Sequence, residues 1–202
     1  MVDKRNFLGV AMAGAAAAAV GMVAPDAQAQ HAPTTARGPT LLTVSGLIGA
    51  GNRGPFDPAL DQMMVKQQLA FAKAHAFDFA ALVALPAVTI NPTLEYDSRP
   101  HALKGPLLAD VMKACGVRET DKTAYLLRAV DGYAVLLSAA EASQRRFIVA
   151  THLDQQPMAL GGLGPLWVVF DADRFADMAA KPVTERFSLC PWATYSIDVK
   201  AV

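Results

Sequence analysis

The chain is poor in the residues that make compact catalytic and metal sites. It has two cysteines and four histidines in 202 residues, and two tryptophans. No Cys-x-x-Cys, His-Glu-x-x-His or EF-hand pattern is present, and His75, His101 and His152 show no ligand spacing. That argues against a dedicated zinc or calcium site. An excess of either charge is missing too: 18 basic residues face 18 acidic ones. A balanced surface offers no electrostatic reason for nucleic acid or an anionic membrane as partner. There is no internal repeat, and no Ser-His-Asp or Cys-His arrangement stands out for nucleophilic chemistry.

One long apolar run exists, Phe7 to Ala24, and Gly9, Gly14 and Gly21 interrupt it. It is mostly alanine, which transfers weakly into lipid, so a spanning anchor is the poorer reading. Lys4 and Arg5 precede the run and Ala27-Gln28-Ala29 follows it, the order of a cleavable signal peptide. Residues 1–29 are therefore expected to be removed after Ala29, leaving a periplasmic protein with no membrane insertion of its own. Asp3 to Leu8 resembles a twin-arginine export signal with Lys4 in place of the first arginine; the general secretion route is the alternative. Residues 30–39 read as a flexible leader and 40–202 as one domain.

Within 40–202 the pattern predicts a strand over 40–48 and a helix over 57–68 with Asp57 as N-cap and Pro58 at its first position. Residues 69–75 read either as a strand or as more of that helix. A short helix follows over 78–85, capped by Asp78 and stopped by Pro86. Residues 88–96 form an edge or interrupted strand around Pro92. Gly105-Pro106 opens a helix over 107–115 that ends at Gly116. Strands over 123–130 and 133–137 flank an Asp131-Gly132 turn as a hairpin. A short helix or turn over 139–144, buried strands over 147–150 and 166–170, a glycine loop over 161–164 and a last strand over 194–199 complete the chain. Strands outnumber helices without regular alternation, which gives an α+β class with a mixed sheet. Cys115 and Cys190 either pair or serve as small buried hydrophobes; sequence leaves both open.

Four segments, LKGPLLADVMKACGV at 103–117, AVDGYAVLLS at 129–138, RRFIVATHLDQQPMALGGLGPLWVVF at 145–170 and PWATYSIDV at 191–199, resemble the molybdopterin-binding domain of the sulfite oxidase fold. The resemblance implies a mixed-sheet molybdopterin-binding fold over roughly two thirds of the expected mature chain. It also implies a cysteine ligand to molybdenum just before the G-x-x-L helix. Residues 88–104 hold no cysteine, and neither Cys115 nor Cys190 stands at that position. Trp167 stands where such enzymes usually carry an arginine. The resemblance thus implies a pterin bound without protein-ligated molybdenum. It implies a small exported binding protein rather than an enzyme, one that reports pterin occupancy to the periplasmic sensor portion of a membrane protein in cyclic-di-GMP signalling. Two alternatives are a molybdopterin-dependent oxidoreductase that holds its cofactor without a protein thiolate or uses another group such as Glu95 or Asp97, and a ligand-free interaction module on the same scaffold.

The candidate site residues each have a structural reading beside the functional one. Trp167 is either a core indole or a stacking face, and Trp192, at a loop-to-strand junction, is the better placed for a ligand. Asp131 supplies the hairpin turn, or accepts paired hydrogen bonds from the 2-amino group and ring N–H of a pterin. Tyr133 packs on the hairpin with its hydroxyl at the rim. Arg99 lies in the polar loop replacing the metal-ligand segment, and Gly164 closes a loop that allows close backbone approach.

Overall fold

Among the described residues three sheets pack around one core. The structure is a computed structural model that describes residues 38–202. The expected signal peptide, and all but the last two residues of the expected leader, lie outside the described residues.

The largest sheet has five strands: β1 (Leu42–Gly46), β2 (Ala74–Phe77), β5 (Thr123–Ala129), β6 (Ala134–Ser138) and β11 (Thr194–Ala201). Their spatial order is β2-β1-β11-β5-β6. β1 and β11 run parallel, with Thr43 opposite Ser196, and the other pairs are antiparallel, so the sheet is mixed. A four-stranded sheet joins β3 (Ala87–Ile90), β4 (Leu103–Pro106), β8 (His152–Leu153) and β9 (Gln156–Pro157) in that order. The third pairs β7 (Ile148–Ala150) with β10 (Trp167–Val169), both wholly buried. Helices α1 (Gln62–Lys66), α2 (Phe79–Val83), α3 (Leu108–Ala114), α4 (Ala139–Gln144) and α5 (Ala176–Ala179) are short.

The core joins Leu42 and Val44 of β1, Leu127 of β5, Ile197 of β11, Val111 and Met112 of α3, and the strands β7 and β10. α3 presents Leu108, Val111 and Met112 inward and stops at Gly116, whose φ of +71° is a conformation glycine takes without steric cost. Asp78 caps α2 by accepting from the Ala81 N–H, and Ser138 caps α4 by accepting from Glu141.

Two expectations are corrected and one strand was not expected. The helix expected over 57–68 begins only at Gln62. The Asp57 carboxylate does cap the N–H groups of Ala59 and Leu60, but it closes a turn there; the Asp61 side chain takes the Asp57 N–H and pairs with Arg53. Residues 69–73 are neither helix nor strand, because Gln68 at φ +57° ends the helix and pairing to β1 starts at Ala74. The helix expected over 107–115 is found as α3, directly after Gly105-Pro106, but those two residues also end a strand that was not expected, β4, which pairs with β3 through Val88 opposite Gly105. A Cβ at Gly105 would lie 1.9 Å from the Val149 carbonyl oxygen, so only glycine lets β4 cross β7 so closely. The edge position of β3, its end before Pro92, the Asp131-Gly132 hairpin and the last strand are found as expected.

Candidate functional site

Three segments far apart in sequence converge at one end of β5, β6 and β11. The first is the hairpin turn. Gly132, at φ +94°, lets the chain reverse, and the Asp131 carboxylate closes the turn by accepting the Tyr133 N–H at 2.8 Å. One oxygen of Asp131 is thereby spent and the other is unengaged within the turn. Tyr133 lies half-exposed, and its hydroxyl donates to the Ser188 carbonyl at 2.7 Å.

The second segment is 187–192. Cys190 N–H donates to Phe187 O, and Trp167 Nε1 donates to Cys190 O at 2.9 Å. Backbone bridges then zip the segment to the glycine loop: Ala193 N–H to Leu163 O, Thr194 N–H to Leu166 O, and Trp167 opposite Trp192. Held this way, Trp192 keeps 38% of its surface exposed whereas Trp167 keeps 1%. The third segment is the loop 91–99. Its base is fastened to the turn after β10, where the Asp171 and Asp173 carboxylates accept the N–H groups of Asn91 and Thr93. His101 bridges two carboxylates at its far end, Asp97 at 2.9 Å and Asp154 at 2.7 Å.

Between these segments lies a cleft of about 300 Å³. Trp192, Tyr133, Tyr96 and Phe187 supply its rings, and Asp131 and Glu95 its carboxylates. Among the described residues no lysine, arginine or histidine lines it. Partial burial, and then the hydrogen bond to Glu95, push the Tyr96 phenol up to about 12. Cys190 also borders the cleft; burial drives its thiol above the ordinary range, against the lowering influence of the Phe170 backbone. The segment 88–104, where the resemblance places the molybdenum ligand, brings no sulfur to the cleft. Such a donor set does not fit a protein-ligated molybdenum. It does suit a flat, uncharged or cationic heterocycle rich in N–H donors.

Of the residues singled out from sequence, Asp131, Tyr133 and Trp192 line the cleft together. Trp167 does not: it is buried behind the 187–192 segment, packed 5.8 Å centroid to centroid from Phe187, with its indole N–H spent on Cys190. Its ring has no face open to a ligand, because β10 is enclosed on both sides. Arg99 is exposed on the same loop as Glu95 but outside the cleft lining, and Gly164 is buried against Met158. Sequence reasoning overlooked Tyr96, and weighed Glu95 only as a metal ligand. An aromatic next to a carboxylate in a polar loop was the available signal. Cys115 and Cys190 are both free and buried.

The α+β fold with its mixed sheet is the architecture that the sulfite-oxidase-type resemblance implies. No protein-family model matches the chain, and no curated protein does. Solved structures do match. One is the sulfane dehydrogenase SoxCD from Paracoccus pantotrophus, with a TM-score of 0.50 and 13% identity. The match covers 80% of this chain and 38% of that one. At this identity the likeness speaks to fold alone.

Proposed function

We propose that the protein is an exported, non-catalytic pterin-binding protein whose occupancy is read by the periplasmic sensor portion of a membrane signalling protein. The observation that carries this reading is the lining of the cleft: an exposed indole beside two tyrosines, two carboxylates and no cation. A pterin is flat, so it gains by stacking on Trp192. Its 2-amino group and ring N–H form a donor pair that one carboxylate can accept, and Asp131 has an oxygen left after closing its turn. A volume near 300 Å³ sits at the small end of ligand pockets and suits a bicyclic ring. The absence of cysteine from 88–104 favours pterin without protein-ligated molybdenum.

The test is titration of the purified protein with a reduced pterin, followed by calorimetry and by quenching of tryptophan fluorescence. Saturable binding is expected, weakened at least tenfold by D131N and by W192A. No binding at high micromolar pterin refutes the reading. Stoichiometric molybdenum in protein purified from its native source favours the oxidoreductase instead.

A further inference from the structure

A second cavity, about 240 Å³, opens beside the C-terminal end of α4 and the turn after β10. Ile90, Arg145, Arg146, Asp171, Arg174 and Phe175 form most of its wall. Three of the chain's ten arginines therefore meet at one concave surface, with a single carboxylate among them. We propose that this cavity binds an oxyanion of the phosphate class, either free or as the ester of a small organic group.

Arg145 is the fixed part of the site. Its Nε donates to Glu141 at 3.2 Å and its Nη2 to Asp177 at 2.8 Å. The guanidinium lies over the rings of Phe170 and Phe175, at 5.3 and 5.4 Å. Its Nη1 is buried and has no acceptor, an exception among buried side-chain polar atoms of the described residues. Arg146 follows directly, at φ +53°, where α4 has ended and the chain turns into β7. A non-glycine side chain is strained there, yet this one is an arginine on the cavity wall. Neither Arg146 nor Arg174 makes an ion pair within 4.0 Å among the described residues.

Guanidinium groups present paired donors whose spacing matches two oxygens of one phosphate, which is why arginine clusters take phosphate better than a point charge would. Asp171 weakens the positive field least when protonated; burial, the largest influence on it, pushes its carboxyl upward. Phe175 and Ile90 give the cavity an apolar wall as well as a charged one, a place for the organic part of an ester. The site does not depend on the pterin reading, since it shares no lining residue with the aromatic cleft.

The test titrates the full chain with inorganic phosphate and with phenyl phosphate by calorimetry at low, constant ionic strength, with chloride as control. Saturable binding is expected for phosphate, phenyl phosphate or both. Tighter binding of phenyl phosphate identifies an ester as ligand, and equal binding the free ion. R174A and R146G are each expected to weaken binding at least tenfold, and R128A, outside the cavity, to leave it unchanged. R146G suits its backbone conformation, so its thermal unfolding is expected to match or exceed that of the parent chain. No saturable binding beyond that of chloride overturns the proposal. So does parent-like binding by both R174A and R146G.

Discussion

Replacing Trp167 by phenylalanine separates the core role of one tryptophan from the ligand role of the other. Two losses add. The Cys190 carbonyl, buried in the same place, loses the donor that reaches it at 2.9 Å, at a cost of about 1–3 kcal/mol for a stranded buried acceptor. The smaller ring also leaves on the order of 40 Å³ unfilled in a strand with no exposed face, worth roughly 1 kcal/mol at about 24 cal/mol per Å³. Together they come to roughly 2–4 kcal/mol, or a fall in Tm of about 5–15 °C for a domain of this size. The assay is urea and thermal unfolding of the parent, W167F and W192F. W192F should unfold within about 2 °C of the parent because its ring is at the surface. Pterin affinity should fall in W167F as well, since the lost bond holds the segment carrying Trp192. A W167F protein as stable as the parent would refute the account of how the 187–192 segment is held.

His101 gives a pH test. Hydrogen bonds to Asp154 and then Asp97 raise its pKa above the ordinary histidine value, and His101 in turn lowers both carboxylates. A raised histidine stabilises fully below its unfolded pKa and loses that contribution as pH rises through the folded one; the lowered carboxylates lose theirs as pH falls through their folded values. Stability should therefore decline as pH rises above the ordinary histidine value of about 6.5, and H101N should flatten that decline; a His101 resonance titrating at or below about 6.5 would contradict it. G105A should destabilise by more than about 3 kcal/mol in denaturant unfolding, because its methyl meets backbone rather than a movable side chain. The thiols should be inert in the native protein and alkylate twice once unfolded, since burial pushes Cys115 up to about 12 and Cys190 higher still. A single crosslinked species by mass would contradict this.

What could be read from sequence was what local chemistry decides. The Asp131-Gly132 turn, the Asp78 cap and the Gly116 stop all depend on residues within a few positions of one another, and all were legible. β4 was not, because Gly105-Pro106 reads as the approach to α3, and only pairing with β3 and the close crossing of β7 make those same residues a strand. The same division runs through the site. Asp131, Tyr133 and Trp192 stood out at turns and junctions. Glu95 and Tyr96 reach the cleft on a loop whose base is fastened by Asp171 and Asp173, eighty residues on. Trp167 and Trp192 differ in exposure through a backbone bridge that no periodicity reveals.

β11 lies at the middle of the five-stranded sheet, between β1 and β5, although it is drawn from the far end of the described chain. Its parallel pairing with β1 closes a very long loop, which is an entropic cost met before any contact rewards it. Until that closure, β1 and β5 each present a bare hydrogen-bonding edge with Val44 and Leu127 beside it, a template for pairing with other chains. The segment bearing Trp192 runs straight into β11. Docking of β11 therefore both covers those edges and brings in the segment that completes the cleft, so variants that weaken β11 docking are expected to lose soluble yield as well as ligand affinity.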